Sequence, residues 1–466
     1  MADNLPGGAT PPPHDDEATA QAPSGGLGRG FAALGIRNYR LYWSGQVVSL
    51  IGTWMQQVSL PWLVLALGGS AIQLGLVAVL QFAPAMFLAP FGGVFADRVD
   101  KRRALIATQI AASLHALVLF LVTATGVVQI PMVMALAFVL GLITAVDLPL
   151  RQALAAELVP RHLLANAIAL NSMAFNAARV VGPALAGVII AVGTRATGSD
   201  TAGVAINLGI NTVTYSGVLI ALLRMDPRQI RRITQPEQHP PVLHSLAEGV
   251  AYAARTPLVL WSLVLLGGIA AFGFNFQILL PLFSTDVLEL GADGYGALFA
   301  GMGVGALAGS LTLAYLRQRR AIALMLGGGV VFALLLVGIG LSRNVWIAAA
   351  LIVGAGYFSM LMINTINATV QANVTDALRG RVMSLYVTVF MGSAPLGGLF
   401  AGAVAEAWGS QIAFLVGAGI SMVVLGIVAL GLKFAARRGP LGVTVLDTSS
   451  ERRVPAAEAR PASAVR

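Results

Sequence analysis

Residues 92–104 read Gly-Gly-Val-Phe-Ala-Asp-Arg-Val-Asp-Lys-Arg-Arg-Ala, and residues 309–321 read Gly-Ser-Leu-Thr-Leu-Ala-Tyr-Leu-Arg-Gln-Arg-Arg-Ala. The two stretches align without a gap at an offset of 217 residues, 309 minus 92. A second echo pairs Gly182-Pro183-Ala184-Leu185-Ala186-Gly187 with Ala394-Pro395-Leu396-Gly397-Gly398, at an offset of 212, 395 minus 183. Chance similarity among Gly-, Ala- and Leu-rich segments competes with either match alone. Two similar offsets at separate places indicate a duplicated unit.

Each of the basic stretches joins one long apolar run to the next. The 466-residue chain is 57% hydrophobic and 11% charged, whereas a soluble globular chain carries roughly 25% charged residues. So few charges cannot cover a water-facing surface. A soluble enzyme, a nucleic-acid binder and a disordered protein are excluded on that ground, and the partner expected for the surface is the lipid bilayer. The absence of cysteine removes disulfides, thiolate metal sites and thiol catalysis.

A helix that crosses a bilayer needs about 20 largely apolar residues. Breaks at Gly, Pro and charge clusters leave twelve such runs, near 43–66, 71–96, 104–126, 131–152, 166–192, 203–224, 258–284, 294–316, 322–342, 345–368, 382–405 and 411–434. They read as helices, because a barrel would show short alternating strands instead. The fold class is therefore an all-α membrane protein with twelve spans in two pseudo-symmetric six-helix bundles.

The net charge of +9 follows the spans. Arg37 and Arg40 precede span 1, and Arg98, Lys101, Arg102 and Arg103 separate spans 2 and 3. Arg161 follows span 4, Arg224, Arg228, Arg231, Arg232 and Arg255 follow span 6, and Arg317, Arg319 and Arg320 follow span 8. Arg379 and Arg381 precede span 11, and Lys433, Arg437 and Arg438 close span 12. The alternate loops hold only Arg195 and Arg343. Positive charge stays inside, so both termini are expected in the cytoplasm, with the chain in the cell inner membrane.

The domain plan follows. Residues 1–36 and 435–466 lack apolar periodicity and are expected to be disordered cytoplasmic tails. Residues 37–225 form the first bundle and 258–434 the second. The linker 226–257 carries Leu243, Leu246, Ala247, Val250 and Ala254 on one helical face, the pattern of an amphipathic helix at the membrane surface.

The loop Gly93-Val94-Phe95-Ala96-Asp97-Arg98-Val99-Asp100-Lys101-Arg102 resembles the Gly-x-x-x-Asp-Arg-x-Gly-basic-basic motif of the major facilitator superfamily, with Asp100 where that motif usually has Gly. Asp147-x-Pro149-x-Arg151-Gln152, Asn166-Ala167-Ile168-Ala169-Leu170-Asn171-Ser172 and Phe175-Asn176-x-x-Arg179-x-x-Gly182-Pro183-Ala184-x-Ala186-Gly187 resemble the branch that holds the enterobactin exporter and the transmembrane secretion effectors. The likeness runs through residues 31–435. It implies a secondary transporter working by alternating access, with drug-like or siderophore-like export common in that branch. It also implies a central cavity lined by spans 1, 4, 7 and 10, a gate at the 97–102 loop, and a proton as coupling ion.

Polar side chains inside lipid are costly and mark interior faces. Gln46, Ser49, Thr53, Gln56 and Gln57 share a stripe of span 1, and Asn364 and Asn367 share one of span 10, which Gln371 continues just past its end. Helix–helix hydrogen bonding explains such stripes as well as a cavity does. Arg179 falls mid-span, with Ser172 and Asn176 on its face. It needs a carboxylate, a carbonyl cluster or an anionic ligand, and an acidic or catecholate-like substrate competes with a fixed ion pair to Asp147. Asp97, Arg98 and Arg102 are the gate candidates, with Arg102 within reach of Asp147 or Glu157. Asp147, with Arg151 one turn on, and His115 are the titratable candidates for coupling.

No phosphate-binding Gly-x4-Gly-Lys-Ser/Thr loop, metal-ligand cluster or Ser/His/Asp set stands in the chain. No cofactor, metal site or enzymatic activity is expected, and the reading is a monomer carrying a small molecule and a proton. Uptake of a small solute and a non-transporting scaffold or sensor are the alternatives.

Overall fold

The computed structural model describes residues 30–231, 242–316 and 321–438, with the side chains of 89–98, 242, 243, 245, 314, 315, 376, 377 and 438 outside that description. All regular structure among the described residues is helical. The first half holds α1 (Arg37–Ala66), α2 (Ala71–Arg98), α3 (Lys101–Ala124), α4 (Ile130–Glu157), α5 (Leu164–Thr197) and α6 (Asp200–Arg224). A linker helix, α7 (Val242–Arg255), follows. The second half holds α8 (Pro257–Phe272), α9 (Phe276–Asp286), α10 (Ala292–Tyr315), α11 (Ala321–Leu341), α12 (Val345–Ala372) and α13 (Asp376–Arg438). Ten stretches pass as membrane spans by length and apolarity. Two more complete the twelve: α1, whose polar stripe dilutes its hydropathy, and the second arm of α13, which turns at Gly409 with φ +83°. Only glycine adopts that left-handed backbone at no steric cost.

The duplication shows in the packing. α2 lies on α4 as α10 lies on α12, and α3 lies on α6 as α11 lies on α13. The halves meet along two seams, α2 with α13 and α5 with α10, related by the same exchange of first half for second. Large apolar side chains such as Val213, Val188, Leu334 and Val423 stay exposed on the outside, where lipid rather than water covers them.

Local signals set several helix starts. Ser70 and Gln73 form a capping box on α2, with Ser70 N donating to Gln73 Oε1 at 2.9 Å. Asp100 caps α3 by accepting from Arg103 N at 2.9 Å, so the residue that replaces the motif's glycine serves as an N-cap. Asn344 accepts from Trp346 N and Ile347 N at 3.0 and 3.2 Å to start α12.

Four expectations change. Span 7 is broken at Gly273–Asn275 into α8 and α9. The break is sheltered inside protein, where Asn275 Nδ2 donates to Ala271 O at 2.9 Å and restores a bond the helix lost. Order begins before residue 37: Ala33 is buried and its N–H donates to Asn166 Oδ1 at 2.9 Å, while α13 continues to Arg438. The rest of both tails lies outside the described residues. Span 10 runs on to Ala372, so Gln371 is inside the helix.

Finally, α7 is docked through its other face, while Ala247, Val250 and Ala254 of the expected stripe stay exposed. Tyr252 Oη donates to Asn373 O at 2.9 Å, Glu248 pairs with Arg381, and Ala253 is buried. The start of the linker belongs to the first half. Asn38 and Asp226 exchange two hydrogen bonds of 2.8 and 3.1 Å, and Arg231 N donates to Glu157 O at 3.1 Å.

Candidate functional site

The two halves enclose a cleft that is shut at one end. Three hydrogen bonds or ion pairs that join them lie toward the face opposite the chain ends. These are Arg195 to Asp293 at 2.9 Å, Ile72 N to Glu406 Oε2 at 3.2 Å, and Gln277 Nε2 to Gln57 Oε1 at 3.1 Å. Glu406 caps the N-terminal turn of α2, where the helix dipole favours a carboxylate. Trp62 stacks on Tyr295 there at 5.9 Å and 13°.

Helix α5 is exposed on two sides before Arg179 and on one beyond it, with Met173 and Ala177 already on the side that Val181 and Leu185 continue. Before it, Ser172 and Phe175 are exposed on the same stripe as Arg179. Beyond it, the exposed residues are Val181, Leu185, Val188 and Val192, about half a turn around the helix. Arg179 therefore stands where the cleft ends, and it is 8% exposed. Its guanidinium lies 5.8 Å from the centroid of the Trp54 ring. Among the described residues no carboxylate pairs with it. Pro183, four residues on, has no N–H to give to the Arg179 carbonyl. Gly303 of α10 packs against that freed oxygen, which a Cβ at 303 would approach to 2.8 Å.

Asp147 does not pair with Arg179 in this structure. Its Oδ1 accepts from Thr108 Oγ1 at 2.6 Å and Gln109 Nε2 at 2.7 Å, and its Oδ2 pairs with Arg151. Arg151 also donates to Gln46 Oε1. The network thus ties α1, α3 and α4 together inside the first half. Arg102 reaches neither Asp147 nor Glu157. It donates to the carbonyls of Leu222 and Leu223 at 2.8 and 3.3 Å, at the C-terminal end of α6, while Lys101 pairs with Glu157 at 2.8 Å. The side chains of Asp97 and Arg98 lie outside the described residues.

The span 1 stripe divides between two environments. Gln46, Ser49 and Gln56 are buried, with Gln56 Oε1 accepting from Asn211 Nδ2 at 2.6 Å. Thr53 donates back to Ser49 O at 2.9 Å. Gln57 alone of the stripe hydrogen-bonds across to the second half. Asn176 is half-buried and donates to Ser172 O at 2.8 Å. On α12, Asn364 donates to Ser310 Oγ at 3.0 Å, and Asn367 accepts from Gln371 at 2.6 Å. His115 is buried between α3 and α4, its Nε2 3.0 Å from Leu136 O. Sequence reasoning missed Trp54, Phe175 and Gln277. Trp54 stands beside Thr53 of the polar stripe, and Phe175 one turn before Arg179, so adjacency was the available signal.

Twelve spans in two matched halves, meeting around a polar cleft closed at one end, define a transporter of the major facilitator type. The chain belongs to the transmembrane secretion effector family, whose sequence profile matches residues 28–441. It is 26% identical over 394 residues to the staphyloferrin A transporter of Staphylococcus aureus, covering 84% of this chain and 94% of that one. It is 24% identical over 424 residues to the enterobactin exporter of Escherichia coli, covering 88% and 96%. The fold is shared with the nucleoside transporter NupG at a TM-score of 0.69 and 13% identity, over 85% of this chain and 99% of that one.

Proposed function

We propose that the protein is a proton-coupled exporter of small amphipathic, siderophore-like or drug-like molecules that works by alternating access. The observation that carries this is Arg179, a buried cation at the closed end of the cleft with no carboxylate beside it among the described residues. A buried charge without a counter-charge is costly, and an anionic group on the substrate supplies the missing partner. The half-buried Asn176, Gln57, Asn364 and Asn367 are assigned to the polar lining of the cleft, together with Gln46, Ser49, Thr53 and Gln56 of α1. The face carrying the chain ends is assigned to the cytoplasm of a cell inner membrane, and the protein acts as a monomer.

Asp147 is assigned the proton. Protonation removes the charge that holds Arg151, and a charge pair that is broken inside a protein is strongly destabilised. That coupling loosens α4 from α1 and lets the first half re-seat. Asp97, Arg98 and Arg102 are assigned the gate that closes when the cleft opens the other way. Arg102 then acts from its seat on α6.

The test is accumulation of a substrate panel in cells with and without the protein, repeated with Arg179→Gln at matched protein level. An anionic member of the panel is retained in cells lacking the protein, and Arg179→Gln reproduces that retention. Normal transport by Arg179→Gln removes the residue from the substrate path, and transport that ignores a collapsed proton gradient removes the proton. Uptake is the competing direction, because one relative's name states transport of staphyloferrin A without export. Inside-out vesicles separate the two: export fills them, uptake does not.

A further inference from the structure

We infer that Trp54 and Phe175 make Arg179 the head of a seat for anions that carry an arene, and that these two rings select such anions over saturated ones of equal charge and size. The inference rests on the reading that Arg179 meets the transported anion.

Arg179 lies over the Trp54 ring, 5.8 Å from its centroid. Phe175, one turn earlier on α5, meets Trp54 edge-on at 5.5 Å and 72°. Phe299, from α10 of the other half, stands 6.4 Å from Trp54 at 56°. Phe299 is buried, but Phe175 is 46% exposed and Trp54 half-buried. The aromatic surface therefore opens toward the same end of the cleft as the stripe that leads to Arg179.

A guanidinium held by an indole through cation–π attraction alone spends none of its N–H donors on that contact. Those donors suit the two oxygens of a carboxylate or sulfonate. The carboxylate of Asp147 is already engaged by Arg151, Thr108 and Gln109, so the charge on Arg179 stays available. A cationic amphiphile entering here meets a like charge that no carboxylate among the described residues pairs with. An arene attached to the bound anion reaches the Phe175 and Trp54 faces, one turn back toward the open end. Ring pairs in offset or edge-on contact favour the aromatic ligand by about threefold to tenfold over a ligand without a π system.

The experiment uses the full-length protein in lipid nanodiscs, titrated with benzenesulfonate and with cyclohexanesulfonate by saturation-transfer NMR. Both probes are permanent anions of nearly the same size. Wild type should bind benzenesulfonate about threefold to tenfold more tightly. Trp54→Leu and Phe175→Leu should bring the ratio close to one, Trp54→Phe should keep most of it, and Arg179→Gln should lose both probes. Equal affinities in wild type, which need no variant to fold, overturn the arene seat and leave the anion reading standing. So does a ratio that survives both leucine variants. Binding of both probes that ignores Arg179→Gln, or binding of neither, overturns the seat and the anion reading together.

Discussion

Gly187 on α5 and Gly296 on α10 pack backbone against backbone across the seam between the halves. A Cβ at 187 would stand 2.9 Å from the Cα of Gly296, and a Cβ at 296 would stand 2.7 Å from the Cα of Gly187. The Arg195–Asp293 pair spans the same seam, but its side chains are 72% and 45% exposed. Exposed ion pairs contribute up to about 1 kcal/mol, so glycine packing, not the ion pair, decides whether this end can shut.

Gly187→Val or Gly296→Val should hold the end opposite the chain termini open. The chain has no cysteine, so Gln277→Cys alone gives a clean report. Its reaction with an impermeant maleimide should quicken in the valine variants. Arg195→Ala should shift the labelling rate by no more than about fivefold, the equivalent of an exposed pair. Unchanged labelling in both valine variants would contradict the packing argument.

Asp147 and Arg151 form a largely buried pair one turn apart on α4. Asp147→Asn leaves the guanidinium uncompensated and should cost about 3–5 kcal/mol, read as a lower thermal midpoint in detergent. Adding Arg151→Gln should recover most of that loss. Proton-dependent transport should be lost in the single variant and stay lost in the double one. Recovery of both properties together would make the pair structural and take the proton elsewhere.

Arg102 satisfies two carbonyls at the end of α6, Leu222 O and Leu223 O. Arg102→Ala should destabilise the first half by about 1.5–3 kcal/mol, the range for hydrogen bonds to a charged donor. Arg102→Lys should recover part of this, since it keeps the cation at the helix C-terminus but not the planar fork. Thermal unfolding in detergent checks the order wild type, lysine, alanine.

Gly249 lets α7 lie against α13: a Cβ there would come within 2.9 Å of Arg381 O. Gly249→Leu should lift α7 off the second half and break the Glu248–Arg381 pair. Membrane insertion should be unaffected, because every span is intact. Limited proteolysis within 232–257 should quicken severalfold, and transport should fall if the linker guides the motion of the halves.

The spans, the duplication and the polar positions were legible in the chain. Lipid offers no partner to a backbone N–H or C=O, so an apolar run of sufficient length had to be a helix. The echo of 92–104 in 309–321 announced two copies of one unit. Buried polar residues were legible for the same reason, since Gln46, Asp147 and Arg179 could not face lipid. Partners were less so. Lys101 rather than Arg102 meets Glu157, although the two are adjacent in a basic run and sequence alone treats them alike. The break in span 7 was hidden because Gly273 and Asn275 sit in a mostly apolar run that already carries Gly267, Gly268, Gln277 and Pro281.

By itself, then, the sequence determined that this is a membrane protein of two related six-helix halves with costly polar groups inside. Tertiary structure alone decided which end of the cleft is shut, that Arg179 rests on Trp54 instead of Asp147, and that Gln57 and Gln56 serve different halves. The physical reason is that lipid and protein interior are both apolar. A helix that is hydrophobic all round carries little sign of its rotation about its own axis, and rotation is what chooses every side chain's neighbour.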